Sequence, residues 1–255
     1  MENMFDWSHW HMTTIGAASA VPQDGRLTLT VNPTPEAHYS DAQIADYTSR
    51  RDFQWEPPLR LTVTARVDRP ADTVRGTAGF GFWNQPFVPG QRGFRFPQAV
   101  WFFFSSPPSD MRLAAGVPGP GWKAATFDAS RLLFWLLLPA APLGLPLMRI
   151  PAFYRRLWPV GQRALGVSEM SLDPHLLAED HTYTLDWHHD GAVFGVDGET
   201  LHEAPYAPRG PLGFIAWIDN QYAIVTPQGR FGSGLLPVEY PQSLILSRVQ
   251  IEAIS

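Results

Sequence analysis

The sequence predicts an all-β protein, folded as a sandwich of two antiparallel sheets, and three observations support this prediction. Glycine and proline contribute 21 and 25 of the 255 residues, which leaves little room for long uninterrupted helices. Only 17% of the residues are charged and 45% are hydrophobic, which argues against a disordered chain. Short strand-like runs recur with turn residues between them. The length suits one large domain, and we predict a single domain over residues 1–255.

At least eight segments have the pattern of β-strands. Residues 26–31 and 60–67 alternate between apolar and polar side chains with a period of two. Residues 98–104 are apolar on both faces, as expected of a central strand that is covered on each side. Asp197-Gly198 lies between two apolar runs and is a strong signal for a hairpin turn. The other predicted strands cover residues 77–83, 183–188, 192–196, 212–219 and 243–251.

One segment lacks the strand pattern. Residues 132–148 contain no charged side chain, and the prolines within this stretch would interrupt a single long helix. We therefore predict an apolar, mostly helical insertion at about residues 128–166. Its first helix is expected at about 130–138 and its second, after a turn, at about 152–165.

The second predicted helix combines arginines with aromatic residues, which permits two interpretations. Arg155 and Arg156 lie between Tyr154 and Trp158, and basic plus aromatic side chains on one helix are typical of helices that lie on a membrane surface. The insertion, through residues 132–158, would then contact a membrane peripherally. The other interpretation, which the sequence favours, is an apolar hairpin packed over the sandwich.

Charge and composition exclude several classes of partner and cofactor. A formal net charge of -5 argues against duplex nucleic acid as a partner, because neutralising phosphates needs a basic face. The chain has no cysteine, and neither His9 with His11 nor His188 with His189 has a third ligand at a suitable spacing. No metal site or other cofactor is therefore predicted. Residues 1–12 do not combine a basic stretch with an apolar core, and we expect a cytoplasmic protein.

Several stretches match motifs of a known family. Residues 181–198 read HTYTLDWHHDGAVFGVDG, where that family typically shows HTY.IEW..D.I.FYVDG. Upstream, residues 47–49 (YTS) and 76–83 (GTAGFGFW) occupy the places of its YTSA and GTWPAFW motifs. On these motifs the sequence resembles the concanavalin A-like jelly-roll superfamily, and within it the family 16 glycoside hydrolases of the laminarinase and lichenase type. The resemblance implies a jelly-roll sandwich over most of residues 26–251, apart from the region near 112–172.

The resemblance does not extend to the family's catalytic motif. Activity in that family rests on E-x-D-x-x-E on one strand, and a retaining mechanism needs two carboxyl groups about 5 Å apart, one as nucleophile and one as acid/base. Alignment on Pro97 puts Gln98, Val100 and Phe103 at the three acidic positions. Glutamine cannot form a glycosyl ester and phenylalanine has no proton to give. The departure argues against glycosidase activity, unless carboxylates elsewhere substitute.

If the fold is a jelly roll, one sheet forms a cleft, and two predicted strands offer residues to line it. Trp217 and Asp219 share one face of strand 212–219, and an unpaired aspartate rarely faces a core, so this face is predicted to line the cleft. Asp219 is the candidate catalytic residue, as a general base or an anchor, and Asn220 and Tyr222 would orient the ligand. The alternative is a turn in which the Asp and Asn side chains bond to their own backbone.

Aromatic residues take the place of the carboxylates on the other strand. Trp101 and Phe103 share one face of strand 98–104, and its remaining apolar side chains share the opposite face, so one set must line the cleft. Aromatic rings stack on sugar faces and on flat apolar molecules alike. Arg95, just before this strand, would meet an anionic group at the cleft rim. The predicted ligand-binding residues are Trp83, Arg95, Gln98, Trp101, Phe103, Trp217, Asn220 and Tyr222.

The first functional hypothesis is a non-hydrolytic jelly-roll protein that binds a small, largely apolar ligand in an aromatic cleft. It would only bind this ligand, or it would steer an isomerisation or cyclisation with Asp219 and nearby polar groups. The alternative is a carbohydrate-binding module or a divergent glycoside hydrolase that acts on β-glucan-like sugars. The sequence leaves the identity of the ligand, turnover and the oligomeric state open.

Overall fold

The computed structural model describes residues 6–85 and 95–254, and β-strands make up most of its regular structure. The strands are β1 (His11–Ile15), β2 (Ala18–Gln23), β3 (Arg26–Val31), β4 (Asp41–Ala45), β5 (Leu59–Val67), β6 (Thr77–Trp83), β7 (Gln98–Ser105), β8 (Gly121–Asp128), β9 (Ser168–Ser171), β10 (His181–Trp187), β11 (Ala192–Val196), β12 (Glu199–Ala204), β13 (Gly213–Asp219), β14 (Gln221–Val225), β15 (Phe231–Leu235) and β16 (Gln242–Ala253).

Two sheets of seven strands each pack against one another. The front sheet has the strand order β1-β4-β13-β6-β7-β8-β9, and the back sheet has the order β12-β11-β10-β5-β16-β3-β2. Neighbouring strands pair antiparallel, for example β6 with β7 and β10 with β5. Strands β14 and β15 form a separate hairpin. This architecture confirms the predicted antiparallel sandwich.

The eight predicted strands are present, each with ends within two residues of the prediction. They correspond to β3, β5, β6, β7, β10, β11, β13 and β16. The predicted hairpin turn is also confirmed, because β11 pairs with β12 and the turn residues Asp197 and Gly198 both have positive φ, 52° and 84°. Positive φ at both central residues is what a tight hairpin turn requires.

The core lies between the two sheets and is rich in aromatic side chains. Along β5 every second residue is fully buried, from Leu59 to Val67, as a strand with one buried face requires. The front sheet contributes Phe80 and Phe102, and the Phe102 ring lies 5.0 Å from that of Tyr183 on the back sheet. Side chains of this size dominate the burial that stabilises a sandwich. The core therefore fixes which side of each strand points outward.

The predicted helical insertion lies between β8 and β9. It consists of α1 (Leu132–Leu137), a 3₁₀ turn at Leu138–Ala140, α2 (Ala141–Leu147) and α3 (Pro151–Ala164). The short helix α4 (His175–Ala178) follows β9. The two predicted helices correspond to α1 and α3, and residues 148–150 form a turn before α3. The prediction missed the helical structure of residues 138–147, where Pro139 and Pro142 stand in the first turn of a helical segment and the N–H that proline lacks would have no partner.

The insertion packs on the sandwich less closely than the favoured interpretation expected. Helices α1 and α2 have no buried residue, and α3 buries Trp158 and Ala164. In the described part of the chain, no helix combines the length and the apolar character needed to cross a membrane.

Candidate functional site

The outer face of the front sheet, here called the front face, is apolar at its centre. Side chains alternate along a strand, so the neighbours of core residues point outward. On β7 the core residues are Val100 and Phe102, and Trp101 and Phe103 lie on the front face in a separate apolar cluster. Trp217 on β13 belongs to the same cluster. An outer face that carries such residues is unusual for an antiparallel sheet.

Six side chains form this aromatic cluster. They are Trp83, Trp101, Phe103, Met111, Ile215 and Trp217. The Trp101 ring stacks on Phe103 at 5.4 Å and lies 5.3 Å from the Trp217 ring. Trp217 and Phe103 are 8% and 6% exposed, whereas Trp83 and Trp101 are only partly buried. The cluster thus offers Trp83 and Trp101 as its accessible rings.

Two glycines on β6 allow the rings to meet. Strand β6 lies between β13 and β7, and Gly79 and Gly81 stand opposite Trp217 and Trp101 respectively. A Cβ atom on Gly79 would lie 2.9 Å from the Trp217 ring, and one on Gly81 would lie 2.5 Å from Cβ of Trp101. Both distances are shorter than van der Waals contact, so a side chain at either position would collide with its neighbours. The Trp217 and Trp101 rings can therefore pack over the backbone of these two glycines.

A polar row crosses the front sheet next to this cluster. The strand register aligns Ile15, Asp41, Asp219, Thr77 and Ser105 from β1 through β4, β13 and β6 to β7. In this row Asp41 on β4 and Asp219 on β13 are directly opposite each other. We call these two residues the carboxyl pair. Their side chains are 3% and 6% exposed.

Asp219 is held by hydrogen bonds from both neighbouring segments. Its Oδ1 accepts from the Thr77 hydroxyl at 2.8 Å, from the Thr77 amide at 3.2 Å and from the Gln221 amide at 3.0 Å. The Thr77 hydroxyl in turn accepts from the Trp217 indole at 2.9 Å. Burial raises the pKa of Asp219 to about 6, and these donors moderate that rise. The hydrogen bonds tie the carboxyl group to the aromatic cluster.

Asp41, the other member of the carboxyl pair, has no hydrogen-bond or ion-pair partner among residues 6–85 and 95–254. Burial and the negative charge of Asp219 raise the pKa of Asp41 to about 8. The nearby phenol of Tyr39 also has a raised pKa, because it is buried beside the two carboxyl groups. Asp41 is not among the predicted site residues, since its short strand carries no clear alternation and no motif.

A segment between β7 and β8 covers part of the front face. Met111 packs on the aromatic cluster, and its carbonyl accepts from the buried Lys123 Nζ at 3.0 Å. The Leu113 amide donates to Glu169, and the Leu113 carbonyl accepts from Trp158 of α3 at 2.7 Å. The insertion therefore flanks the front face and helps to hold its cover in place.

Strand β7 presents no carboxylate to the front face. Its register with β6 and β8 is unbroken, so successive side chains alternate without the extra residue of a bulge. Gln98 and Val100 consequently lie on the opposite side of the strand from Phe103. Gln98 donates instead to Asp128 and Ser130, at 3.1 Å each. The three residues aligned with the family's acidic positions therefore do not share one face of β7.

The remaining predicted site residues lie away from the cluster. The Asn220 amide group is fully buried and makes three hydrogen bonds within the protein, to the Ser40 amide and the carbonyls of His38 and Leu236. Tyr222 lies on the β14–β15 hairpin rather than in the front sheet. Arg95 is exposed just before β7 and has no ion-pair partner in the described ranges.

The described residues contain no group of three or more His, Asp or Glu side chains arranged to hold a metal ion. The site is therefore built from aromatic rings and one pair of carboxyl groups.

Comparison with solved structures places this geometry in a known fold. An endo-acting O-glycanase of the kind that members of the human gut microbiota express to initiate mucin breakdown superposes with a TM-score of 0.53, at 11% identity over 100% of this chain and 96% of that chain. An endo-β-galactosidase from Clostridium perfringens that releases GlcNAcα1-4Gal gives 0.52, at 14% identity over 97% and 58%. A glycoside hydrolase family protein from Mycobacterium thermorestibile gives 0.51, at 12% identity over 96% and 93%.

The fold is a jelly roll. This result confirms the fold that the sequence resemblance implied. No protein-family model and no curated protein sequence matches the chain. At such low identities the similarity defines the jelly roll alone, and the activity has to be argued from the site.

Proposed function

We propose that the protein binds a small, largely apolar ligand on the aromatic cluster and does not hydrolyse glycosides through β7. The observation that carries this proposal is that β7 presents Trp101 and Phe103 on the front face and no carboxylate. Aromatic rings stabilise a flat or apolar ligand by stacking and by burial of its surface.

One row of the front face, the row through Trp101, favours an apolar ligand over a sugar. The row of side chains through Trp101 consists of Ala45, Ile215, Gly81, Trp101 and Ala125, from β4 to β8. None of these aliphatic side chains can donate or accept a hydrogen bond. A sugar carries a hydroxyl on most of its carbons, and burying these groups without partners costs free energy.

Fluorescence titration with two probes tests this proposal. The apolar probe is 6-propionyl-2-(dimethylamino)naphthalene, an uncharged ketone whose emission shifts in an apolar site, and the sugar probe is laminarihexaose. We expect the ketone to bind and Trp101→Ala to weaken its binding about tenfold, the equivalent of one lost aromatic contact. Trp135→Ala is the matched control, because Trp135 lies on α1, is 48% exposed and is outside the cluster.

Three results would contradict the proposal. The first is binding of laminarihexaose with no binding of the ketone, which would favour a carbohydrate-binding module. The second is loss of ketone binding in Trp135→Ala and not in Trp101→Ala. The third is release of reducing sugar from laminarin or lichenan, which would indicate a divergent glycoside hydrolase.

A second function is favoured by the surface of the insertion. Large apolar side chains of residues 132–160 are exposed, with Leu143 at 78% and Leu132 at 74%. Between Asp128 and Glu169 the chain has arginines and no acidic residue, although its formal net charge is -5. We propose that this surface docks on an anionic lipid bilayer, since apolar and basic side chains together are typical of such contacts. The arginines oppose pairing with a second copy of the same surface.

Sedimentation with lipid vesicles tests the docking. We expect the protein to pellet with vesicles that contain phosphatidylglycerol, and to remain in solution with pure phosphatidylcholine. Leu143→Glu should abolish pelleting, and Val21→Glu is the matched control, because Val21 is also exposed, at 48%, but lies on β2. Failure to pellet with anionic vesicles, or dimerisation that Leu143→Glu removes, would contradict this function.

A further inference from the structure

We infer that Asp41 and Asp219 form an acid–base pair that shares one proton and acts on the polar end of a ligand bound to the aromatic cluster. The inference rests on the proposed ligand binding and assigns the groups that would act on the ligand. Nothing in the motifs of the chain marks Asp41, and the pair lies on strands other than β7.

Strand pairing brings the two carboxyl groups together. Asp41 on β4 and Asp219 on β13 are directly opposite in an antiparallel ladder, an arrangement that sets Cβ atoms about 5 Å apart on the same face. Three donors converge on Asp219, two from Thr77 and one from the Gln221 amide. Donors to a carboxylate stabilise its ionised form. Asp219 is therefore the member of the pair that loses its proton first.

The surroundings of Asp41 make it the member that keeps the proton. Asp41 is only 3% exposed, and no hydrogen-bond donor or cation among the described residues contacts its carboxyl group. The groups that face the pair are Ile15 from β1, Thr77 from β6 and the phenol of Tyr39, just before β4. The phenol of Tyr47, beyond the other end of β4, accepts a hydrogen bond from the Trp83 indole and feels the Asp41 charge only weakly. Two adjacent buried carboxylates without a cation cannot both remain ionised.

The two carboxyl groups therefore divide the acid and base roles near neutral pH. The pKa of Asp41 is raised to about 8 by burial and by Asp219, and the pKa of Asp219 is raised to about 6 by burial. Between these values Asp41 is protonated and Asp219 is ionised. In the same row the Ser105 hydroxyl is buried without a partner, which leaves a further polar group on the ligand side of the strand.

The pair can move a proton on a ligand without a cofactor. The Asp219 carboxylate takes a proton from a carbon next to a carbonyl, and the Asp41 carboxyl gives its proton to the carbonyl oxygen, which forms an enol. In a β,γ-unsaturated ketone or aldehyde, return of a proton from Asp219 to the γ carbon, and of the enol proton to Asp41, completes an isomerisation to the α,β-unsaturated compound with all atoms balanced; in a saturated ketone the same two transfers exchange the hydrogen next to the carbonyl. Trp217 and Asp219 are two residues apart on β13, so the reacting carbon would lie about 6–7 Å from the ring contact.

The substrate class is therefore a small apolar ketone or aldehyde, with its apolar body on the rings and its carbonyl at the carboxyl pair. In deuterated buffer, 6-propionyl-2-(dimethylamino)naphthalene should take up deuterium at the carbon next to its carbonyl about tenfold or more faster with the protein than without it. Mass spectrometry measures this uptake. Asp219→Asn and Asp41→Asn should each reduce uptake to the rate in buffer, whereas Asp24→Asn, in an exposed turn, should not.

A measurement without ligand separates this inference from the proposed function. With aspartate labelled by ¹³C at the side-chain carboxyl, NMR titration of the full chain should show two linked carboxyl groups, one of them titrating near pH 8. Asp219→Asn should lower that midpoint by at least about one pH unit, because the neighbouring charge is gone. A structural role alone would not produce this linkage.

The outcomes distinguish the two ideas. A bound ketone, detected by fluorescence, that exchanges no faster than in buffer overturns the acid–base role and leaves the binding function intact. A wild-type titration in which no aspartate carboxyl titrates above about pH 6 overturns the shared proton, whether or not either variant folds.

Discussion

The two outer faces of the sandwich differ in a way that the fold does not require. The back sheet exposes a polar face: on β5 and β10 the Thr64 and Thr182 hydroxyls lie 3.2 Å apart, and Arg60 donates to both oxygens of Asp186. A polar pocket of about 230 Å³ lies beside this ion pair. The front face instead carries buried aromatic rings, with Trp217 only 8% exposed, and the carboxyl pair.

This difference is the reason for placing the proposed function on the front face. A sandwich needs apolar side chains on its two inner faces, and its outer faces are free to be polar. The back sheet follows this rule, because the outer face of β5 and β10 is polar. A sandwich does not require buried rings on an outer face, nor a buried carboxyl group such as that of Asp41, which has no partner among the described residues. Such departures from local rules concentrate at functional sites. Three experiments test this comparison, in order of decreasing effect.

The first substitution targets the bare backbone beneath the rings. Gly79→Ala places a methyl group 2.4 Å from the Phe102 carbonyl oxygen and 2.9 Å from the Trp217 ring. We expect this overpacking to lower the free energy of unfolding by about 3 kcal/mol. Urea denaturation measures the loss. Thr62→Ala, on β5 in the back sheet, is the control and should cost less than about 1 kcal/mol.

If both variants lose the same stability, the absence of a side chain at Gly79 is not needed for ring packing, and the front face does not differ from the back face in this respect. In the double variant Gly79→Ala with Trp217→Leu, only the part of the loss that comes from the Trp217 ring should be recovered, because the 2.4 Å contact of the methyl group with the Phe102 carbonyl oxygen remains.

The second test uses the pH dependence of stability. The folded-state pKa of Asp41 is raised to about 8, so the folded protein holds this proton more tightly than the unfolded chain does. The free energy of unfolding should therefore fall as pH rises from about 4 to about 8. Asp41→Asn removes the part of this dependence that comes from Asp41, and we expect it to stabilise the protein by about 1–3 kcal/mol near pH 9 and to have little effect near pH 4.

Thermal or urea unfolding of wild type and Asp41→Asn at both pH values measures this difference. Asp24→Asn is the matched control, since Asp24 is exposed in the turn between β2 and β3, and its effect should stay within about 0.5 kcal/mol. A variant that is less stable than wild type near pH 9 would show that ionised Asp41 has a favourable partner.

The third and smallest effect is expected on the back face. The side chains of Arg60 and Asp186 are 44% and 19% exposed, so solvent screens much of their attraction. A double-mutant cycle with Arg60→Ala and Asp186→Ala should give a coupling energy of no more than about 1 kcal/mol, which decreases at high salt. A coupling of several kcal/mol would mean that the back face also holds a preorganised site.

Much of the front face could be predicted from the sequence. The alternation along β7 put Trp101 and Phe103 on one side, and the alternation along β13 put Trp217 with Asp219, because the strand pleat sets side-chain direction locally. The same alternation puts Gln98 and Phe103, five residues apart on this unbroken strand, on opposite sides. Only a bulge would bring both onto one face.

Other features had no local signal. Strand β4, which supplies Asp41, is buried on both faces over most of its length, so it lacks the alternation by which a strand is recognised. The helical character of residues 138–147 was hidden by three prolines, two of which stand in first turns.

Lys123, the lone lysine of the chain, lies in an apolar strand, a pattern that marks a buried charge. It donates to the Met111 carbonyl and so holds the segment that covers part of the front face.

The sequence by itself determined the strands, the sandwich and the side chains that share a face of each strand, because hydrophobic alternation and turn residues act over a few positions. Only the tertiary structure decided which strands are neighbours. The carboxyl pair exists because β4 and β13, far apart in the chain, lie side by side in one register. Such pairing is selected by packing of the whole core, and short-range patterns do not encode it.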